Sequence, residues 1–201
     1  MSFLPEDRIL SVGCGTGEME EYLRLKYGSS VVGIDIRSEA IRIAKEKRVD
    51  GLDFVFGDAE ALPFDSESFT AVYSCGALAS FFENGSREIE RVLAPGGKVI
   101  LIEATYMDGA VSAKDLQAWS GKSRILPDLL QLRQTVDGFI RLGFRTIVTR
   151  LYFQPSWWEV YFQSVDEKEL QAEREVYERN RREIGIGLFV FEKIPATEFQ
   201  I

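Results

Sequence analysis

Three glycines at alternating positions, Gly13, Gly15 and Gly17, lie in the run Ser11-Val12-Gly13-Cys14-Gly15-Thr16-Gly17, directly after the apolar stretch Arg8-Ile9-Leu10-Ser11-Val12. Glycines at the end of such a stretch let the chain turn tightly and let a ligand approach the backbone closely. The same residues would also serve a tight turn with no ligand. Their spacing narrows the choice of ligand. Dinucleotide folds use G-x-G-x-x-G, whereas Gly17 follows Gly15 by two positions and Glu18 takes the remaining slot. That spacing argues against NAD. Asp35 closes the apolar run 30–34, about 20 residues beyond the loop, where a carboxylate can accept hydrogen bonds from both hydroxyls of a ribose. Its competing role is that of an exposed turn aspartate. Asp58 follows a third apolar run in Gly57-Asp58-Ala59-Glu60-Ala61-Leu62-Pro63-Phe64. It can accept from the exocyclic amino group of an adenine, and it is equally suited to cap a helix.

Acid–base chemistry is constrained by composition. The chain has no histidine, so a general base would be a carboxylate, tyrosine, lysine or thiol. Histidine-containing metal sites are excluded and no metal is expected. Glu103, Tyr106 and Asp108 lie at or just past the end of a fifth apolar run, on the side of an open α/β sheet where ligands bind. Each would serve equally as a loop or cap residue. Trp119, Trp157, Trp158, Tyr161 and Phe162 form an aromatic group that could line an apolar substrate pocket or pack an added helix. Trp157, Trp158 and Tyr161 are the candidate substrate contacts. Cys14 and Cys75 are too few for a disulfide framework or a four-cysteine zinc site, and read as small buried residues.

Strands are expected at 8–12, 30–34, 53–56, 68–74 and 98–104. The last contains Val99-Ile100-Leu101-Ile102, apolar without alternation, as for a strand covered on both faces. Between them, a helix fits 18–27 with Met19, Tyr22 and Leu23 as its buried stripe and Gly28 at its end. Ser38 should cap a helix over about 39–48, and Ser86 a helix burying Ile89, Val92 and Leu93. Ala94-Pro95-Gly96-Gly97 reads as a turn. Strand and helix therefore alternate, which argues for a mostly parallel sheet with helices on both faces. Further on come a short helix at 112–120, a helix at 127–142 burying Leu132, Val136, Phe139 and Ile140 before Gly143, and strands at 144–153 and 186–194. The polar stretch 155–183 carries Glu175–Arg179 and Glu178–Arg182 at i, i+4, so it is expected to be helical with a solvated face.

At 201 residues, 45% hydrophobic and 28% charged, the chain suits a single domain with a full core. Its formal net charge of -8 repels phosphate backbones, so nucleic-acid binding is not expected. No apolar run approaches the ~20 residues of a membrane span, and the first residues lack the pattern of a signal peptide. The default expectation is a cytoplasmic protein with no membrane partner.

Taken together, four blocks resemble the class I S-adenosylmethionine (SAM)-dependent methyltransferases, in the branch acting on small molecules such as quinone precursors. They are the 11–17 loop, Gly33-Ile34-Asp35-Ile36, the 57–64 block with Ser68-Phe69, and Arg91-Val92-Leu93-Ala94-Pro95-Gly96-Gly97. The resemblance spans roughly residues 8–104. It implies a Rossmann-like seven-stranded sheet with the last strand antiparallel, here with a helical insertion between the last two strands. It implies one domain, with core motifs at 8–104 and substrate or lid elements at 105–135 and 154–184. It assigns the methionine end of SAM to Gly13, Gly15 and Gly17, the ribose to Asp35, and adenine packing to Ile36. The adenine edge falls to Asp58 and Ala59, and the sulfonium end to Ser74 or Cys75. The 91–97 block is a structural turn. Two departures stand out. Ser11 occupies the place of an acid that helps hold the methionine amino group. Seven residues precede Arg8 where the family carries tens, so a lid is expected from later in the chain or from a partner, which allows an oligomer. The implied function is methyl transfer from SAM to a small acceptor, leaving S-adenosylhomocysteine. The alternatives are a non-catalytic SAM- or S-adenosylhomocysteine-binding regulator or assembly protein, and, less favoured, a nucleotide-sugar or NAD enzyme. The chain lacks the Asn/Asp-Pro-Pro-Tyr segment that marks many enzymes methylating amino groups of bases and amides, having Ser74-Cys75-Gly76-Ala77 instead.

Overall fold

The computed structural model describes residues 3–77, 84–106, 110–120, 129–152 and 167–195. Strands β1 (Arg8–Val12), β2 (Ser30–Asp35), β3 (Leu52–Phe56), β4 (Phe69–Cys75), β5 (Leu93–Tyr106), β6 (Phe144–Tyr152) and β7 (Ile184–Lys193) form one sheet in the order β3-β2-β1-β4-β5-β7-β6. The first five run parallel, and β7 is antiparallel to both β5 and β6. The helices are α1 (Glu18–Tyr27), α2 (Ser38–Ala44), α3 (Asn84–Val92), α4 (Ala113–Ser120), α5 (Leu129–Arg141) and α6 (Glu167–Arg179). The expected architecture is therefore observed, including the antiparallel last strand and a helix between β6 and β7.

Both faces of the sheet are covered, which is why its central strands are apolar without strict alternation. On one face Ile9, Val31, Phe54 and Ile100 pack against Leu23 of α1 and Ile41 and Ala44 of α2. On the other, Leu10, Ile34, Val72 and Leu101 pack against Ile89 and Val92 of α3 and Phe139 of α5. Phe139 is fully buried, stacked on Phe191 at 4.8 Å and edge-on to Phe144 at 5.2 Å. Truncating such a residue to alanine costs about 3–5 kcal/mol, so this ring anchors α5. A third cluster joins Tyr106, Val111, Val176, Tyr177 and Ile184, seating α4 and α6 beyond the ends of β5 and β7.

Several local expectations are corrected. Met19 and Tyr22 of α1 are exposed, and the buried pair is Glu20 and Leu23. The face meeting the sheet runs through positions 20, 23 and 27, one step round from the apolar stripe. Helix α2 starts at Ser38 itself, with Arg37 as N-cap and no side-chain cap bond. The Asp35 carboxylate takes the Arg37 N–H instead. Ser86 lies buried inside α3 rather than at its cap. The 94–97 turn is absorbed into β5 as an irregularity: Phe69 pairs with Leu93, and the next partners are Ala71 and Lys98. Ile140 of α5 is exposed. In α6, Arg179 reaches Asp115 of α4 at 2.5 Å rather than Glu175, and Glu178 pairs with Arg181. A tertiary partner on α4 outcompetes the helix neighbour.

At the opposite end of the sheet from the glycine loop, Lys193 closes β7 onto α3 and β5. Its Nζ donates to the carbonyls of Glu90 and Leu93 at 2.5 and 2.9 Å and pairs with the Glu90 carboxylate at 2.8 Å.

Candidate functional site

The strand order reverses direction between β1 and β4. In open α/β sheets the crevice beyond the carboxyl ends of the strands at such a switch point is where ligands bind. The glycine loop lies there. Gly13 N–H and Cys14 N–H both donate to the Ile34 carbonyl, at 2.8 and 3.1 Å, and Gly17 N–H donates to Cys14 O at 3.1 Å. These bonds fold the loop back over the end of β2 before α1 begins.

The glycines divide by what a side chain would meet. A Cβ on Gly13 would sit 2.5 Å from the Ala77 Cβ, and one on Gly17 would strike the Phe54 ring at 2.4 Å. Those two are explained by the protein's own packing. A Cβ on Gly15 would meet only the tip of Arg37 at 3.4 Å, and one on Gly76, just after β4, would meet nothing within 4 Å. The open backbone therefore lies at Gly15 and at the end of β4.

Asp35 is buried and its carboxylate is fully hydrogen-bonded. Oδ2 accepts from Gly15 N–H at 2.8 Å and Arg37 Nη2 at 3.2 Å; Oδ1 accepts from Arg37 N–H at 2.8 Å and Arg37 Nε at 3.1 Å. Burial pushes the carboxyl up, but the Arg37 side chain and the two backbone N–H groups together hold it below the usual carboxylate range. It is an ionised acceptor at neutral pH. Two of its four acceptor positions are filled only by the Arg37 side chain, which is 63% exposed.

Beside Asp35 the surface turns apolar. Ile36 is 64% and Phe56 59% exposed, and Phe56 is the register partner of Asp35. Asp58 is exposed and uses Oδ1 to accept from Glu60 N–H at 2.9 Å, so it shapes its own turn; Ala59 is buried in the core. That loop is held from α3: Arg91 donates to the carbonyls of Phe64 at 2.7 Å and Leu62 at 3.0 Å, and Glu88 accepts from Leu62 N–H at 2.7 Å. The Arg91 block thus also secures the segment carrying Asp58. Ser74 is buried and donates to Val12 O at 3.0 Å, tying the ends of β1 and β4 together, while Cys75 is exposed.

The structure brings Gly15, Asp35, Ile36, Asp58 and Cys75 to one edge of the sheet. Glu103 is buried within β5 and Tyr106 is buried among Val111, Val176 and Ile184. Asp108, Trp157, Trp158, Tyr161 and Phe162 lie outside the described residues, as does the side chain of Trp119. Sequence reasoning missed Glu20, whose carboxylate accepts from Ser11 Oγ at 2.5 Å beneath the loop. It also missed Arg37. The signal for Glu20 was available in its sharing a helix face with Leu23 and Tyr27. Among the described residues, no group of three potential metal-binding side chains occurs, and no helix is long and apolar enough to cross a membrane.

Residues 10–101 match the family described as "Methyltransferase domain". The phthiotriol/phenolphthiotriol dimycocerosates methyltransferase of Mycobacterium tuberculosis (strain ATCC 25618 / H37Rv) is 43% identical over 94 residues, 45% of this chain and 35% of that protein. The demethylmenaquinone methyltransferase of Chlorobaculum tepidum is 38% identical over 112 residues, 54% of this chain and 46% of that protein. Both alignments span less than half the length of these curated relatives. Among solved structures, geranyl diphosphate C-methyltransferase from Streptomyces coelicolor A3(2) superposes with a TM-score of 0.77 at 16% identity, over 96% of this chain and 73% of that one. Residues 10–101 thus match a methyltransferase domain family, and the seven-stranded sheet has the Rossmann-like fold of the solved methyltransferase it superposes on.

Proposed function

We propose that this protein binds SAM along the carboxyl edge of β2, β1 and β4 and transfers its methyl group to a small-molecule acceptor. One observation carries the reading. Asp35 is a buried, ionised carboxylate with two acceptor positions covered only by an exposed arginine, set between open backbone at Gly15 and exposed apolar residues at Ile36 and Phe56. That is the donor–acceptor pattern of a ribose diol with an aromatic base beside it. In this reading Asp35 takes the ribose hydroxyls, Ile36 and Phe56 flank the adenine, and Asp58 and Ala59 lie at its edge. Gly13, Gly15 and Gly17 pass the methionine end toward Ser74 and Cys75.

A bound sulfonium supplies an electrophilic methyl carbon and a neutral thioether leaving group. The chain's own contribution is alignment and exclusion of water. Glu103, Tyr106 and Asp108 remain the proposed sources of a base, and Trp157, Trp158 and Tyr161 the proposed acceptor contacts within the 105–135 and 154–184 elements. The relatives are named for phthiotriol dimycocerosates and demethylmenaquinone, and the Streptomyces enzyme was solved with geranyl diphosphate and S-adenosylhomocysteine. Those names support a small-molecule acceptor. The proposal includes a cytoplasmic setting, consistent with two free cysteines, and allows a second copy to complete the site.

Calorimetry with SAM, S-adenosylhomocysteine and NAD tests the site. The first two should bind in the micromolar range and NAD should not, and Asp35→Ala should lose more than about tenfold. Unchanged affinity in that variant would sink the assignment. A binding protein without transfer is the competing reading, favoured by the burial of both Glu103 and Tyr106. A screen of small-molecule acceptors with methyl-labelled SAM separates the two.

A further inference from the structure

Beneath the glycine loop lies a polar group that the adenosine site does not use. Glu20, in the first turn of α1, is 1% exposed. Its Oε1 accepts from Ser11 Oγ at 2.5 Å, and its Oε2 is buried with no hydrogen-bond partner. A half-satisfied buried carboxyl costs on the order of 1–3 kcal/mol in an empty site, more when it is charged. Burial accordingly pushes the Glu20 carboxyl up. Two neighbours register its charge: the Cys14 thiol within the loop, pushed up by burial and then by Glu20, and the Tyr73 hydroxyl on β4, pushed up by burial, then by Cys75 and last by Glu20. Tyr73 is the register partner of Ser11. Glu20 therefore sits under the loop between β1 and β4.

The sheet order turns that position into a statement about the ligand. Asp35 fixes the ribose at β2, and the apolar residues beyond it, Ile36 and Phe56, lie toward β3. The other end of the ligand must run the opposite way, across Gly15 to the ends of β1 and β4. In a SAM-like molecule that end carries an α-ammonium group.

We infer that Glu20, reaching in from α1 rather than from the strand, supplies the carboxylate that recognises the α-ammonium group of the ligand, with Ser11 holding it in place. The inference rests on the SAM-binding reading above. A cation at the ends of β1 and β4, where this end of the ligand runs, gives the orphaned Oε2 a partner and stabilises the ionised carboxylate. It also accounts for Ser11: a hydroxyl on β1 is short enough to leave room for the longer acid and donates to it. The strand position and the helix position exchange roles, so the charge reaches the same end of the crevice from a different element.

The test compares two ligands that differ at this end. S-adenosylhomocysteine carries the amino-acid group, and 5′-methylthioadenosine keeps the nucleoside and thioether without it. Glu20→Gln, which preserves size and the bond to Ser11, should weaken S-adenosylhomocysteine roughly tenfold or more by calorimetry while changing 5′-methylthioadenosine less than about twofold. Adding Ser11→Asp to Glu20→Gln should restore the preference for the amino-acid ligand, which a purely structural role for Glu20 would not produce. Equal weakening of both ligands, or none, overturns the inference. Failure of the unaltered protein to bind either ligand would instead refute the SAM-binding reading itself. If Glu20→Gln does not fold, Glu20→Asp serves as the second variant, and an unaltered ligand preference in it would likewise overturn the inference.

Discussion

Arg37→Ala should tighten binding of S-adenosylhomocysteine, although it removes a residue that touches the site. The Arg37 guanidinium occupies one position on each Asp35 oxygen, at 3.1 and 3.2 Å. A ribose diol needs one position on each oxygen, so the side chain must leave before the ligand is seated. The pair is forked but its arginine is 63% exposed, which places its worth within the surface range of about 0.2–1 kcal/mol. Removing the competitor should therefore strengthen binding about 1.4- to fivefold. Asp35 keeps its charge in the variant, because the Gly15 N–H and the backbone N–H at position 37 both remain. Calorimetry at neutral pH and low salt reads the effect. The gain should shrink as salt rises, since salt already loosens the exposed pair in the unaltered protein. An unchanged or weaker affinity would refute the reasoning and assign Arg37 to holding the ligand rather than occupying its place.

Two further outcomes are expected. Gly17→Ala should destabilise the fold by more than about 2 kcal/mol, from a left-handed backbone and overpacking against Phe54, whereas Gly15→Ala should cost about 1 kcal/mol yet lose ligand affinity; thermal melts with calorimetry distinguish them, and similar melting losses for both would contradict the division drawn here. The folded Glu20 carboxyl lies above its unfolded value of about 4.3, so the folded state holds the proton longer and stability falls as pH rises through that window. Glu20→Gln should then match the unaltered protein near pH 4 and melt higher at pH 8. The groups near Glu20 are Ser11, Cys14, Tyr73, Glu18 and Lys47, and a melting difference that does not grow with pH would count against a buried, proton-holding Glu20.

Much of this was legible in the sequence where burial is two-sided and local. The five parallel strands announce themselves as apolar runs because helices cover both faces, and the loop and Asp35 follow from spacing. Glu20 was passed over although it shares a helix face with Leu23 and Tyr27, because a glutamate in a helix reads as solvent-facing unless its partner is known, and Ser11 lies on a different element. Helix α2 begins one residue earlier than a Ser38 cap implies, because Arg37 O already accepts from Ile41 N–H while Asp35 holds the Arg37 N–H. The ion pairs expected along α6 gave way to Asp115 on α4, a contact that no sequence neighbour encodes. Local chemistry could be read directly; side chains recruited by a distant element could not.

The place of β7 bears on how the molecule is made. It inserts between β5 and β6, both of which precede it in the chain, and among the described residues β6 has no other strand partner. During synthesis β5 therefore waits as an open apolar edge until residues 184–193 emerge. Only then can β6 dock and Lys193 fasten the far end. The β5–β7 pairing has the longest sequence separation of any strand pair in the sheet, so it forms late and slowly. A nascent chain held at that stage would carry the assembled edge of β2, β1 and β4 on a sheet still exposing a strand, which is the stage most prone to mispairing with a neighbour.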